Sequence, residues 1–424
     1  PMPPDSTPLQ WLMATQSRGV VPGLERMKRL LAALGDPQEK LRCLHVAGTN
    51  GKGSVSAFAE SVLRAAGHRT GLYTSPHLVE FAERIRIDGV NAATADIDAA
   101  INRLRHATAG WGEGDQPTFF ESVTAIAFDL FARAGCGIVV LETGMGGRLD
   151  ATNTAPKLAC AITPIGLDHM EWLGETLGQI AREKAGILRP GIPVVIAPQE
   201  KEAADALAAA AREIGAPCEW VTAPIEGIPL GLAGSLQQWN AALALALIRA
   251  AGFSPSAEAV EKGLREVSWP GRFQRLSLLG REMILDGAHN LHAARQLAAT
   301  WREVYGERRC RLIFGALSDK DPLALLGELL PLASSVVLVP VASPRSVKPV
   351  DLAASISEAS RSAGGGIPVV HIAGSLREAL VDNPEALRVA DSTPECPVLL
   401  AGSLFLVGEA LALLSGGEAI PRSQ

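Results

Sequence analysis

From residue 41 onward, short apolar runs alternate with longer amphipathic or alanine-rich segments, a rhythm that predicts βαβ units on a mainly parallel sheet. The runs "LRCLHVA" (41–47), "RTGLYT" (69–74), "GIVVLE" (137–142), "KLACAIT" (157–163) and "IPVVIAP" (192–198) read as strands. Helices are predicted over 54–66, 176–186, 202–214 and 236–251. A second series follows, with a strand ending in "MILDGAHN" (283–290) and others at "CRLIFGA" (310–316), "SSVVLVPV" (334–341), "GIPVVHIAG" (366–374) and "CPVLLAGS" (396–403). Between the two series, "VSWPGR" (267–272) sets Trp269, Pro270 and Gly271 where a preceding helix must stop. The expected organisation is an α/β domain over 1–268, a hinge at about 268–272 and a smaller α/β domain over 272–424. No internal repeat is present, and the alanine-rich tracts are simply good helix formers.

Composition narrows the partners more than the fold. The chain has 424 residues, 47% of them hydrophobic and 20% charged, which suits a globular protein with a large core and two domains. A net charge of -6 without a cluster of Lys and Arg argues against nucleic acid or an anionic membrane as partner, and leaves small molecules. The six cysteines are scattered without a C-x-x-C pair and read as reduced core residues of a cytoplasmic protein. The opening "PMPPDSTPLQ" lacks the charged-then-apolar order of a signal peptide, and no apolar stretch is long enough to span a bilayer.

The unusual polar residues fall where predicted strands end: Gly48 to Ser54, Ser75 to His77, Glu142, Asp168 and His169, Asp286 to Asn290, and Ser403. Open α/β sheets bind ligands at the carboxyl ends of their strands, so these positions are expected to converge on one cleft. "HVAGTNGKGSVSAF" (45–58) departs from the usual G-x-x-x-x-G-K-[ST] loop, yet keeps its chemistry. Gly48, Gly51 and Gly53 let backbone N–H groups approach phosphates, with Thr49 and Asn50 between them; Lys52 supplies a cation and Ser54 an oxygen for Mg²⁺. The first domain is accordingly expected to be P-loop NTPase-like, and the second Rossmann-like.

Glu142 closes the apolar run of "GIVVLETGMGGRLDATN" (137–153), as an acid that holds a metal at nucleotide phosphates would. Gly144, Gly146 and Gly147 allow a tight path beside Arg148 and Asp150. "TLGQIAREKAGIL" (176–188) begins with a Thr176/Gln179 capping box, and spacing alone makes its Lys184 an ordinary surface residue and His169 a structural one. "PTFFESVTAIAF" (117–128) sets Phe119 and Phe120 together in a chain of only 4% aromatics, which suggests stacking on a flat ligand.

Together, "HVAGTNGKGS", "TSPHL", "LETGMGGRLDATN", "ITPIGLDHMEWLG" with "IAREKAGI", "WPGRF", "DGAHN" and "AGSLFLVGE" resemble the folylpolyglutamate synthases and bifunctional dihydrofolate synthase/folylpolyglutamate synthases, relatives of the Mur ligases. The resemblance runs in order from about Gly48 to Glu409. It implies an ATP-dependent acid–amino-acid ligase that joins glutamate to dihydropteroate and to folates through an acyl phosphate. Lys52, Glu142, His169, Lys184 and His289 would be its catalytic residues. Gly48 to Ser54, Asn240, Arg272 and Asp286 would bind ATP. Ser54, Ser75, Glu142 and His169 would ligate Mg²⁺ at two sites, with K⁺ as a further cation. Thr118, Phe120, Asp150 and Ala151 would line the pteridine pocket, and His289 and Ser403 would bind glutamate. Lys184 matches a lysine that the family often carbamylates.

Three other readings meet the same motifs. A Mur-type ligase needs a sizeable UDP-binding domain before the loop, where only 47 residues precede Gly48. A monofunctional folylpolyglutamate synthase would share the ATP and glutamate machinery. A regulatory ATP-binding module should have lost one of Lys52, Glu142, His169 or Lys184, and all four are present. The expected protein is a monomer whose two domains close over ATP.

Overall fold

The computed structural model describes residues 6–278, 280–363, 369–383 and 396–416. The chain forms two compact units. The first holds residues up to His77, Phe81–Gly231 and Gln237–Ser268; the second holds Leu78–Glu80, Leu232–Leu236 and the residues from Trp269 onward.

The first unit is built on eight strands: β1 (Cys43–Ala47), β2 (Thr70–Tyr73), β3 (Ile85–Ile87), β4 (Val90–Asn91), β5 (Ile138–Glu142), β6 (Lys157–Ile162), β7 (Val194–Ile196) and β8 (Cys218–Trp220). Their order is β4-β3-β2-β5-β1-β6-β7-β8. From β2 to β8 all neighbours run parallel, and β3 pairs antiparallel with both β2 and β4. Every residue of β1 and β5 is buried, as expected of central strands covered on both faces. One apolar layer gathers Phe128, Phe131, Val139 and Leu141, and the other Ile162, Ile180, Ile187 and Leu207.

The second unit carries β9 (Gln274–Leu278), β10 (Arg281–Leu285), β11 (Cys310–Phe314), β12 (Ala333–Leu338), β13 (Val369–Ile372) and β14 (Val398–Ala401), ordered β13-β12-β11-β14-β10-β9. Five of the six strands run parallel and β9 pairs antiparallel with β10. Residues 366–368 of the expected β13 run lie outside the described residues.

The apolar runs located ten strands to within a few residues, and the helices predicted at 54–66 and 176–186 stand at Lys52–Ala65 and Leu177–Lys184. The strands β3, β4, β8 and β9 were not predicted; β3, β4 and β8 have only two or three residues and carry no period to read. Five of the six cysteines are buried, but Cys218 is exposed on the edge strand β8. Among the described residues no helix is long and apolar enough to cross a membrane.

Candidate active site

Because β2, β5, β1 and β6 are adjacent and parallel, the loops that follow them leave the same edge of the sheet side by side. Those loops carry Ser75, Glu142, Gly48 to Ser54, and His169.

The loop after β1 is shaped by two constraints on Gly48. Its φ is +146°, and a Cβ there would lie 1.8 Å from Thr163 Oγ1. Gly51, at φ +89°, caps the helix Lys52–Ala65. The first bond inside this helix runs from Val55 N–H to the Gly51 carbonyl, so the N–H groups of Lys52, Gly53 and Ser54 emerge from its positive end. Thr49 and Asn50 N–H both donate to the Pro164 carbonyl, at 3.1 and 3.2 Å, which ties the loop to the segment after β6. Lys52 Nζ curls back to the Thr49 carbonyl at 3.3 Å, and Ser54 is buried.

Lys184 corrects the reading from spacing: it is not a surface residue but 4% exposed. Its Nζ donates to the Gly48 carbonyl at 2.5 Å. Burial and the neighbouring Lys52 ammonium lower its pKa to about 7, against the pull of Asp168 and Asp150.

Glu142 ends β5 as a buried carboxylate, and its Oε2 accepts the Ser75 N–H at 3.1 Å. His169 is exposed, at φ +51°, with Asp168 Oδ1 4.0 Å from its Nε2. Among the described residues no three His, Cys, Asp or Glu side chains gather as a metal cluster. One carboxylate and one hydroxyl beside a phosphate loop nonetheless fit Mg²⁺, which keeps several waters and takes its other ligands from phosphates.

The residues expected at the pteridine do other work as well. Thr118 caps the helix Phe119–Ala134, exchanging bonds with Glu121, whose carboxylate also pairs with Arg26. Phe120 lies against Gly144, where a Cβ would come within 2.5 Å of the ring, and Ala151 is buried. Asp150 is occupied by its own loop. Its Oδ2 accepts from Gly144 and Met145 N–H at 2.9 and 3.0 Å, while its Oδ1 accepts from the Thr152 N–H and hydroxyl. Burial raises its pKa, and these four donors oppose the rise.

His45 and Lys157 received no role from the sequence, although a cation inside the apolar runs "CLHVA" and "KLACAI" is itself a signal. Lys157 Nζ donates to His45 Nδ1 (3.2 Å), Asn153 Oδ1 (2.5 Å) and the Ile187 carbonyl (3.3 Å), using all three of its protons. The His45 proton therefore sits on Nε2, which reaches Thr152 Oγ1 at 2.8 Å; the Thr152 hydroxyl in turn donates to Asp150. Burial lowers His45 well below the usual imidazole range, so this relay joins one cation to one anion through a neutral ring. We expect Lys157→Met to lower stability by about 3 kcal/mol in urea unfolding, because three buried acceptors lose their donor. A change below about 1 kcal/mol would remove Lys157 from this structural role.

Asn240 is buried in the helix Ser235–Ala250, donates to Gln237 Oε1 at 3.0 Å and packs on Gly51, whose Cβ would meet its Oδ1 at 2.8 Å.

In the second unit, Asp286 follows β10 and Ser403 follows β14, its parallel neighbour. Asp286 accepts from the Phe273 and Ala288 N–H groups, each at 2.9 Å. Burial raises its pKa and Arg272 opposes the rise. Arg272 bonds the Gly271 carbonyl at 3.1 Å and packs on Gly287. His289 Nδ1 donates to the Gly287 carbonyl at 2.8 Å, which fixes the proton on that nitrogen when the ring is neutral. Ser403 is buried and caps the helix Leu404–Leu414.

The family profile described as "Mur ligase, glutamate ligase domain" matches residues 271–404. The dihydrofolate synthase/folylpolyglutamate synthase of Bacillus subtilis is 37% identical over 384 residues, covering 83% of this chain and 89% of the relative. The solved structure of Escherichia coli FolC in complex with DHPP and ADP has a TM-score of 0.84 and 31% identity, covering 97% of this chain and 98% of that one. The bifunctional folylpolyglutamate synthase/dihydrofolate synthase of Yersinia pestis, complexed with AMPPNP and Mn ion, has a TM-score of 0.85 and 32% identity, covering 98% and 100%.

Proposed function

The chain belongs to the dihydrofolate synthase/folylpolyglutamate synthase family of the Mur ligase superfamily, ATP-dependent enzymes that ligate glutamate to folates, and we infer that it performs both of the reactions in the family name. One adds glutamate to dihydropteroate to give dihydrofolate; the other extends folates to polyglutamates. The observation that carries this reading is the grouping of the 48–54 loop and buried Glu142 on adjacent strand ends of the first sheet, with buried Lys184, at the end of the helix Leu177–Lys184, bonded to the Gly48 carbonyl.

In this reading the 48–54 loop binds the ATP phosphates, with Lys52 as their cation and Asn240 supporting the loop through Gly51. The substrate carboxylate takes the γ-phosphoryl group, giving an acyl phosphate, and the glutamate amine then displaces phosphate. Ser54 and Glu142, with Ser75 nearby, would hold one Mg²⁺ and His169 a second, and the metal would supply Lewis-acid stabilisation of the transferring phosphoryl. K⁺ completes the cofactor set.

Lys184, lowered to about 7, presents a large neutral fraction near neutral pH, and a neutral amine is the form that adds CO₂. Its carbamate would place an anion beside the metal site. Thr118, Phe120 and Ala151 line the pteridine pocket, with Asp150 shaping it through the 144–152 turn. Arg272 and Asp286 serve the nucleotide, and His289 and Ser403 the glutamate. The protein works as a cytoplasmic monomer without nucleic acid or membrane.

The test is ATP turnover with glutamate and, in turn, dihydropteroate, tetrahydrofolate and a UDP-muramoyl peptide, with products weighed by mass spectrometry. We expect one glutamate on each pteridine. Gain on tetrahydrofolate alone would reduce the enzyme to a folylpolyglutamate synthase, and gain on the UDP substrate would overturn the substrate assignment.

A further inference from the structure

Arg84 closes the single turn Phe81–Arg84 ahead of β3 and is 5% exposed, yet it belongs to none of the ion pairs among the described residues. Its Nε donates to Nδ1 of the buried His77 at 2.7 Å. Its guanidinium lies over the ring of Phe119, 5.4 Å from the centroid. The two terminal nitrogens meet no protein acceptor among the described residues, and neither is among the polar atoms sealed from solvent. A buried cation holding up its outer edge in this way calls for an anionic partner, since an unpaired buried charge is strongly unfavourable.

The surroundings say which anion. The Arg84 carbonyl accepts the Thr74 N–H at 3.1 Å, and the adjacent Ser75 N–H binds Glu142 at 3.1 Å. Burial lowers the Arg84 pKa, and the fields of Tyr73, Glu83 and Glu142 oppose that lowering. Phe119 is followed by Phe120, which lies on Gly144. Arg84 therefore stands between an aromatic wall and the Glu142 end of β5, whereas the 48–54 loop has Lys52 and Lys184 as its own cations.

We propose that Arg84 binds the reacting carboxylate of the pteridine substrate through its two terminal nitrogens, with Phe119 backing the guanidinium. The proposal rests on the ligase reading above. A planar fork matches a carboxylate in two-point contact, and His77 holds it in orientation from behind. The chemical benefit is direct. A carboxylate and the ATP γ-phosphate repel as they approach, and a fixed cation on the carboxylate side reduces that repulsion without reorganising.

The test compares the calorimetric affinity of the full chain for dihydropteroate and for its carboxamide, with AMPPNP affinity measured in parallel. The wild-type chain is expected to prefer the carboxylate by about 10- to 100-fold, the range for charge-assisted bonds. Arg84→Gln should remove most of that preference and leave AMPPNP affinity unchanged. An undiminished preference in Arg84→Gln overturns the proposal and leaves the ligase reading standing. A fall in AMPPNP affinity with the preference intact also overturns it, by making Arg84 a phosphate ligand. A wild-type chain that binds neither compound overturns the ligase reading itself. If Arg84→Gln fails to fold by circular dichroism, Arg84→Lys decides: a point charge in place of the fork should weaken the preference, and an unchanged preference counts against Arg84.

Discussion

Replacing Glu142 with glutamine is expected to lower ligation turnover by about a thousandfold or more, the scale of removing a few kcal/mol of charge stabilisation from a phosphoryl transfer. Glutamine is the informative change because its carbonyl can still accept the Ser75 N–H that Glu142 now takes at 3.1 Å. The loop after β2 then keeps its anchor and only the negative charge is lost. Thermal unfolding should move by no more than a few degrees, and Mn²⁺ affinity measured with AMPPNP present should fall in step with turnover. Glu142→Ala should be equally inactive. Ligation retained in Glu142→Gln at a wild-type rate would sink the metal assignment, whatever the stability data say.

Lys184→Ala is expected to be nearly as damaging, and its rescue separates two explanations. If the amine acts as the carbamate, short carboxylic acids such as formate or acetate should occupy the vacated space and restore part of the activity. If the ammonium merely bonds the Gly48 carbonyl, carboxylates should do nothing and methylamine should help instead. The pH dependence has a definite sign. Burial and Lys52 hold the Lys184 pKa near 7, so the neutral, CO₂-reactive fraction grows as pH rises through that value. Enzyme depleted of CO₂ should therefore regain activity faster at pH 8 than at pH 6 when the dissolved CO₂ concentration is held equal. Equal recovery at both, or none at either, would return Lys184 to a purely structural role.

Much of the first site was legible because each element declares itself locally. A glycine loop between an apolar run and a helix, and an acid closing a run of aliphatic residues, are patterns of adjacent residues. The glycines of "GMGG" likewise mark a tight path: a Cβ on Gly147 would stand 2.7 Å from the Lys184 carbonyl. Lys184 was legible as part of a motif but misread by spacing, since nothing nearby in sequence shows that its ammonium is roofed by the 48–54 loop. Asp150 shows the opposite limit. Nothing in the sequence shows its bonding: all four of its acceptor positions are filled by donors from residues 144, 145 and 152.

By itself, the sequence determined the alternation of strand and helix, the parallel sheets and the residues that stand at strand ends, because apolar periodicity and turn chemistry act over a few neighbouring residues. Only the tertiary structure decided which side chains lose water and what they then face. Burial made Lys184 a weak base, wired Lys157 through His45 to Asp150, and left the Arg84 side chain hydrogen-bonded to a histidine rather than to an acid. Desolvation is set by everything that packs on a group from all directions, most of it distant in the chain, and so it appears only when the chain has folded.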